Sequence, residues 1–252
     1  AVRYWSSLMV GSFIWAVHIA DGVLAPITLG LGFAITSVLL LVGCWQLGEK
    51  EVAKTGVMTA ILFVASLIHP PIPGAKVHLL LNGMAGMLLG MHVGLAVVVA
   101  LTLQALLLSH GGLLALGVNC TTMGVPALLV ACLFGVIRWI IPLNHKLTRW
   151  VVGCFLGAVG VLGTVVMYYL VLRFGAITGE DLRTLATIAF IWHGPVLIVE
   201  TIFSALLLDF LYRIKPELLG IRNHEAIQAR SDSDAVQPHG RGEPRCSDGT
   251  SA

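Results

Sequence analysis

A small set of polar side chains stands inside long apolar stretches of this 252-residue sequence. Burying an imidazole, a carboxylate or an amide in lipid is expensive, so each of these residues needs a structural or functional reason. Imidazole is the commonest metal-binding side chain, so the histidines are candidate ligands, although a lone histidine near a helix end is more often a hydrogen-bonded interfacial residue. The set comprises His18, Asp21, His69, His78, Asn82, Gln104, His110, Asn119, His193, Glu200 and Asp209.

The sequence lacks the signatures of common enzymes. No serine, histidine and acid follow the spacing of a nucleophile elbow or of a zinc protease. The segment Gly48–Thr55 matches a phosphate-binding P-loop except for Ala53 in place of the second glycine, but it lies between two apolar runs with no preceding strand. We predict that the chain is not an enzyme, that it has no resident cofactor, and that any ATP hydrolysis belongs to a separate partner chain.

Composition identifies the chain as an integral membrane protein whose surroundings are the lipid bilayer. It is 57% hydrophobic and 11% charged, with a mean hydropathy of +0.92, whereas a soluble domain is about 25% charged. A net charge of +2 without a basic stripe excludes nucleic acid as a partner. The cysteines show no paired spacing, which favours small core residues over disulfides or thiolate ligands. They are Cys44, Cys120, Cys132, Cys154 and Cys246.

We predict an all-α fold, a polytopic membrane helical bundle with about seven spans after an N-terminal signal-like segment. A span needs roughly 20 apolar residues, and such runs occur at about 24–47, 55–69, 93–109, 113–141, 151–172 and 184–212. A shorter run, 79–91, spans the membrane, tilts with its neighbour or is re-entrant. Two glycine ladders, Gly86, Gly90 and Gly94 in one and Gly153 and Gly157 in the other, predict closely packed helices.

The distribution of basic residues favours counting the short run as a span. One side of the membrane then holds Lys50, Lys54, Arg138, Lys146, Arg149, Arg213, Lys215 and Arg222, and the other holds Lys76, Arg173 and Arg183. Because Lys and Arg concentrate on the cytoplasmic side, this division places residue 18 outside and the C-terminal tail in the cytoplasm.

Three segments differ in character. Residues 1–16 resemble a signal peptide, with Arg3, a short apolar run and the small Ala16 at the expected cut, and an uncleaved anchor is the alternative. Residues 17–220 form the membrane domain. Residues 221–252 lack apolar periodicity and are predicted to be a disordered cytoplasmic tail.

Four motifs resemble the CbiM/NikM family, the substrate-specific (S) components of energy-coupling-factor cobalt and nickel transporters. Val17–Leu24 resembles the start of the mature family proteins, and Ile72–Leu80 resembles their proline-rich loop with a histidine near its end. His110–Met123 resembles their His-Gly-Gly-x-x-Ala-Leu-Gly-x-Asn signature, and His193–Leu219 resembles their final helix. The motifs occur in the family's order, and the stretch 130–185 contributes little.

The resemblance implies a metal site of four nitrogens. Its ligands would be the amine of Val17, the amide and imidazole of His18, and the imidazole of His78. A tetragonal nitrogen set of this kind suits Ni(II), Cu(II) and, less strictly, Co(II). Valine replaces the family's methionine, and the amine exists only if the leader is removed after Ala16.

Other polar residues are candidates for the surroundings of this site. Asp21, His69, His110 and Asn119 are possible supports of the ligands, and His69 is also a rival to His78. Asp21 is predicted to be the N-cap of the first long helix, since an aspartate there accepts an amide hydrogen bond.

The resemblance further implies the substrate-binding membrane subunit of an ATP-driven importer for Co(II) or Ni(II). Its site would face outward from the bacterial inner membrane, and its partners would be a transmembrane coupling (T) subunit, ATPase subunits and a small accessory membrane subunit. The alternatives are an intramembrane metal-dependent hydrolase using His193 and Glu200, and a proton-coupled secondary metal carrier. All the proposed donors are nitrogen, so the sequence does not separate cobalt from nickel.

Overall fold

The computed structural model describes residues 18–68, 78–177 and 182–221, with the side chains of 182–190 and 192 excepted. These residues form seven α-helices and no β-strand beyond one isolated bridge between Leu24 and Ala176, so the all-α prediction is confirmed. The helices are α1 (Pro26–Cys44), α2 (Glu49–Ala65), α3 (Asn82–Leu89), α4 (Val93–Leu108), α5 (Leu116–Ile140), α6 (Lys146–Gly175) and α7 (Leu182–Ile214), with 3-10 turns at Gly90–His92 and Pro216–Leu219. The predicted leader, Val17, His69 and the predicted tail from residue 222 lie outside the described residues.

Local sequence explains several helix ends. α1 begins at Pro26, whose fixed φ and missing N–H suit the first helical positions. α2 has Glu49 and Glu51 in its first turn, where carboxylates stabilise the positive end of the helix dipole. α4 stops at Ser109, which adopts a left-handed conformation. The loop that follows α4 meets the segment before α1, since the N–H of Gly112 donates to the carbonyl of Ile19 at 3.0 Å.

Among the described residues, five helical stretches are long and apolar enough to cross a membrane. They are Pro26–Cys44, Asn82–Leu108, Leu116–Ile140, Lys146–Gly175 and His193–Ile214. α2 has 17 residues and falls short of the roughly 20 that a span needs. A multi-pass helical membrane protein is therefore confirmed, whereas the predicted count of about seven spans is not.

The short apolar run at 79–91 is explained by a chain reversal at Gly90. Residues Asn82–Leu108 form one apolar stretch of 27 residues, which as a straight helix would be about 40 Å long. However, His78 before it and His110 after it have ring centroids 5.8 Å apart. The stretch must therefore fold back, and it does so where Gly90 takes φ 56° and ψ −130°. α3, with 8 residues, is one arm of this hairpin and is too short to span alone.

Close packing at glycines confirms most of both predicted ladders. A Cβ at Gly94 would lie 2.7 Å from the carbonyl oxygen of Leu39, and one at Gly157 would lie 2.9 Å from the Oγ of Ser204. Such approaches bring helix backbones together without needing a hydrophobic driving force in lipid. Gly90 differs, because a Cβ there would have no neighbour within 4 Å and the residue serves the chain reversal instead.

The buried Arg149 and the exposed Arg213 lie at the end of the bundle opposite the histidines. Arg149 Nε pairs with Asp209 Oδ1 at 2.7 Å, and Arg213 pairs with the second carboxylate oxygen at 2.9 Å. α6 is 30 residues long, about 45 Å, and its far end at Gly175 accepts a hydrogen bond from Ala25 N beside the His18 segment. The basic end and the histidine end are therefore the two opposite faces of the bundle.

Candidate metal centre

Three histidines from three separate segments meet at one end of the bundle. His18 and His78 are 3% and 1% exposed, and their Nε2 atoms lie 3.1 Å apart. The ring of His110 stands edge-on to both, with centroids 5.4 Å from His18 and 5.8 Å from His78. The structure therefore brings together His18 and His78, which the sequence predicts as ligands, and places the predicted supporting residue His110 beside them.

The two imidazoles are close enough to bind one metal ion. With metal–nitrogen bonds of about 2.0–2.1 Å, two cis nitrogens in a square lie about 2.8–3.0 Å apart, so rings whose nearest nitrogens are 3.1 Å apart can both reach the same ion. The Nδ1 of His78 lies 2.8 Å from the carbonyl oxygen of Leu79, which can only accept, so Nδ1 carries the proton. The Nε2 of His78 is then left with its lone pair directed at His18.

The electrostatic surroundings favour a neutral imidazole at His18. Burial lowers the pKa of His18 well below its ordinary value, and repulsion from His78 and His110 lowers it further. The buried amide of Gln104 interacts with His18 and opposes this shift. A metal binds the unprotonated ring, so this environment is compatible with metal binding by His18. The sequence singles out Gln104 as a polar residue in an apolar run, but only the fold places it at the site.

Asn119 holds the His18 segment to α5. Its Oδ1 accepts a hydrogen bond from Ile19 N at 2.8 Å, and its Nδ2 donates to Ile19 O at 3.0 Å. Asn119 and Ile19 are both 3% exposed, so these bonds are shielded from water. The prediction that Asn119 supports the site is consistent with this contact, since it fixes the residue next to His18.

Asp21 also holds this segment, but not in the way the sequence predicts. The N-cap of α1 is Ala25, without a side-chain hydrogen bond, so the N-cap prediction is wrong. Asp21 instead accepts from the N–H groups of Leu113 and Ala115, at 3.0 and 2.9 Å. The partners are more than 90 residues away in sequence, which is why a local capping rule does not find them.

The two glycines after His110 permit this contact. Gly111 has φ +80°, and a Cβ there would lie 2.9 Å from Asn119 Nδ2 and 3.0 Å from the Cβ of His18. A Cβ at Gly112 would overlap the carboxylate of Asp21, at 1.9 Å from Oδ1. The loop can therefore lie against the His18 segment only because both residues lack a side chain.

The remaining candidates do not complete a metal site from side chains. Within the described ranges, no group of three or more His, Cys, Asp or Glu side chains is placed to hold a metal ion. Glu200, a ligand in the hydrolase alternative, accepts hydrogen bonds from the backbone N–H groups of Leu80 and Leu81 instead. The described part of the chain therefore places no third such side chain with His18 and His78 in a metal-binding arrangement, and the candidate His69 lies outside it.

Comparisons with known proteins identify relatives that match most of this chain. A protein of Haemophilus influenzae is 33% identical over 203 residues, covering 81% of this chain and 97% of that protein. The cobalt transport protein CbiM of Clostridium tetani is 29% identical over 216 residues, covering 79% of this chain and 86% of that one. The CbiM of Chlorobium limicola is 29% identical, with coverages of 82% and 87%.

The similarity of fold and the family model both relate this chain to metal transport proteins. The solved structure of a truncated transition metal transporter superposes with a TM-score of 0.61 at 26% identity, covering 78% of this chain and 98% of that one. The model of the cobalt uptake substrate-specific transmembrane region matches residues 18–218, which include all three clustered histidines. The chain therefore belongs to the CbiM family of cobalt uptake substrate-specific transmembrane proteins.

Proposed function

We propose that this chain captures Co(II) or Ni(II) at the outer face of the bacterial cell membrane, as the substrate-binding subunit of an ATP-driven energy-coupling-factor importer. The observation that carries the proposal is the buried pair of imidazoles, His18 and His78, whose Nε2 atoms face each other at 3.1 Å. Three further observations support the proposal: the hydrogen bonds that hold the His18 segment, the burial that keeps the His18 imidazole neutral, and the family membership.

The proposed ligands are the amine of Val17, the amide nitrogen and imidazole of His18, and the imidazole of His78. The absence of a three-side-chain metal group in the described ranges fits this set, because half of its donors belong to the main chain. Four nitrogens in one plane favour Ni(II), and they also accommodate Co(II). Val17 provides an amine only in a chain that begins there, so the proposal includes removal of residues 1–16.

Chelation imposes a change on the His18 ring. Its amide and Nδ1 can close a six-membered ring with a metal, whereas Nε2 points away from its own main chain. In this structure it is Nε2 that faces His78. Binding in the proposed geometry would therefore require another rotamer of the His18 side chain, one that brings Nδ1 toward His78.

Transport would require partners. We expect ATP hydrolysis to come from separate partner chains, because the P-loop-like segment Gly48–Thr55 has no preceding strand. We expect a transmembrane coupling subunit, an ATPase pair and a small accessory membrane subunit. The basic end of the bundle, with Arg138, Arg149 and Arg213, would face the cytoplasm by the positive-inside rule.

The decisive experiment alters the N-terminus without touching a side chain. Mass spectrometry of the purified protein should show a mature chain starting at Val17. Nickel titration of this chain should give a low-spin spectrum with a d–d band, and the same chain with one glycine ahead of Val17 should lose both the band and the affinity. Equal spectra and equal dissociation constants for the two chains would show that the amine is not a ligand.

A further inference from the structure

Glu200 lies within α7 and is 1% exposed, yet it contacts the loop that carries His78. Its Oε1 accepts hydrogen bonds from the N–H groups of Leu80 and of Leu81, the latter at 2.9 Å. These amides directly precede α3, whose N-cap residue makes no capping hydrogen bond of its own. Unpaired N–H groups and the helix dipole favour an anion at this position. Glu200 thus supplies, from 120 residues away, the cap that α3 lacks.

The loop held by Glu200 is strained. Leu81 has φ 54° and ψ 20°, a left-handed conformation that is unfavourable for a leucine. A residue in such a conformation raises the free energy of the folded state by about 1–3 kcal/mol, so it persists only where the surrounding structure holds it. His78 lies three residues earlier, with its Nδ1 bonded to the carbonyl of Leu79. The position of the His78 imidazole therefore depends on a short, strained segment whose amides are fixed from α7.

We propose that Glu200 is a positioning residue of the metal site, which holds the His78 imidazole opposite His18 by accepting the amides of Leu80 and Leu81. This inference rests on the proposed function. In this proposal Glu200 does not bind the metal. It acts by placing its Oε1 where the N–H groups of Leu80 and Leu81 can donate to it. Because it stands on α7, a shift of α7 relative to α3 would withdraw His78, which links metal release to the helix that extends to the basic end.

Two conservative variants separate the position of the side-chain oxygen from the charge of the carboxylate. Glu200→Gln retains an oxygen at the same reach and loses the charge. Glu200→Asp retains the charge and withdraws the oxygen by about 1.5 Å, one C–C bond. The second oxygen, Oε2, makes no hydrogen bond within the described part of the chain, so the role depends on Oε1 alone. Asp209→Asn is the matched control, since Asp209 is on the same helix and pairs only with Arg149 and Arg213 among the described ion pairs.

The measurement is Ni(II) affinity and dissociation rate of the mature full-length protein in detergent, together with its thermal unfolding without metal. We expect Glu200→Gln to bind within about threefold of wild type and Glu200→Asp to bind about 10- to 100-fold more weakly, mainly through faster dissociation. Asp209→Asn should lower thermal stability and leave the affinity unchanged. The losses of Glu200→Asp and His78→Ala should be non-additive in the double variant.

Two results would overturn the inference. One is wild-type affinity in Glu200→Asp, and the other is a loss of affinity in Glu200→Gln at least as large as that in Glu200→Asp, which would show that the charge of Glu200, and not only the position of its oxygen, sets the affinity. The His78→Ala variant distinguishes this failure from failure of the proposed function. If His78→Ala abolishes nickel binding while Glu200→Asp is normal, only the positioning role is wrong; if His78→Ala binds normally, the metal site itself is wrong.

Discussion

Replacing Asn119 by alanine should weaken metal binding while leaving the helical bundle folded. The substitution removes both hydrogen bonds to Ile19, the residue next to His18. The carbonyl of Ile19 keeps a second partner, because Gly112 N donates to it at 3.0 Å. Among the described residues, the N–H of Ile19 donates only to Asn119, so it would be left unpaired in a buried position.

The size of the effect follows from that orphaned N–H. A buried donor left without an acceptor destabilises its segment by about 1–3 kcal/mol. If this loss falls on the docked state of the His18 segment, the metal dissociation constant should rise about 5- to 150-fold. The affected bonds lie at one end of α5, so the closely packed helix contacts at Gly86, Gly94 and Gly157 should persist.

Isothermal titration of Ni(II) into the mature protein measures this change. Asn144→Ala is the matched control, because Asn144 is exposed at the basic end and only its main-chain carbonyl accepts a hydrogen bond, from Arg149. Circular dichroism would verify that both variants remain helical. If Asn119→Ala and Asn144→Ala gave the same dissociation constant as wild type, the clamp on Ile19 would not govern the position of His18.

Three further predictions test other parts of the site. His78→Ala should raise the Ni(II) dissociation constant far more than His145→Ala, since His145 is exposed at the opposite end, and equal constants in titration would remove His78 from the site. Gly112→Ala should weaken binding because its Cβ would overlap Asp21, whereas Gly135→Ala has open space around it and should not; a calorimetric titration in which the two variants match would contradict this packing. The metal-free protein should lose thermal stability as pH falls below about 6.5, because burial depresses the pKa of His18 and the unfolded chain then takes up the proton first. His18→Gln should reduce that pH dependence in differential scanning fluorimetry, and an unchanged slope would assign it to other groups.

Composition and ordered motifs were enough to predict the membrane class and to single out His18 and His78, which the fold brings together. A chain with 57% hydrophobic and 11% charged residues has no soluble alternative. His18 and His78 were predicted because their motifs resemble those of a metal-transporter family, and the structure places their nitrogens 3.1 Å apart. The helices were also predictable, because a long apolar run in lipid must satisfy its own backbone hydrogen bonds and therefore forms a helix.

The tertiary structure decided the features that depend on distant partners. The run 79–91 has the same composition whether it spans or folds back, and only the backbone of Gly90 shows the reversal. Asp21 follows the local rule for an N-cap, yet its partners Leu113 and Ala115 come from another segment. Glu200 and Gln104 appear in the sequence only as polar residues in apolar runs, because hydrogen bonds across 100 residues leave no trace in local spacing. Hydrophobic pattern is a property of neighbouring residues, whereas the support of a ligand depends on which segments the fold brings within 3 Å of one another.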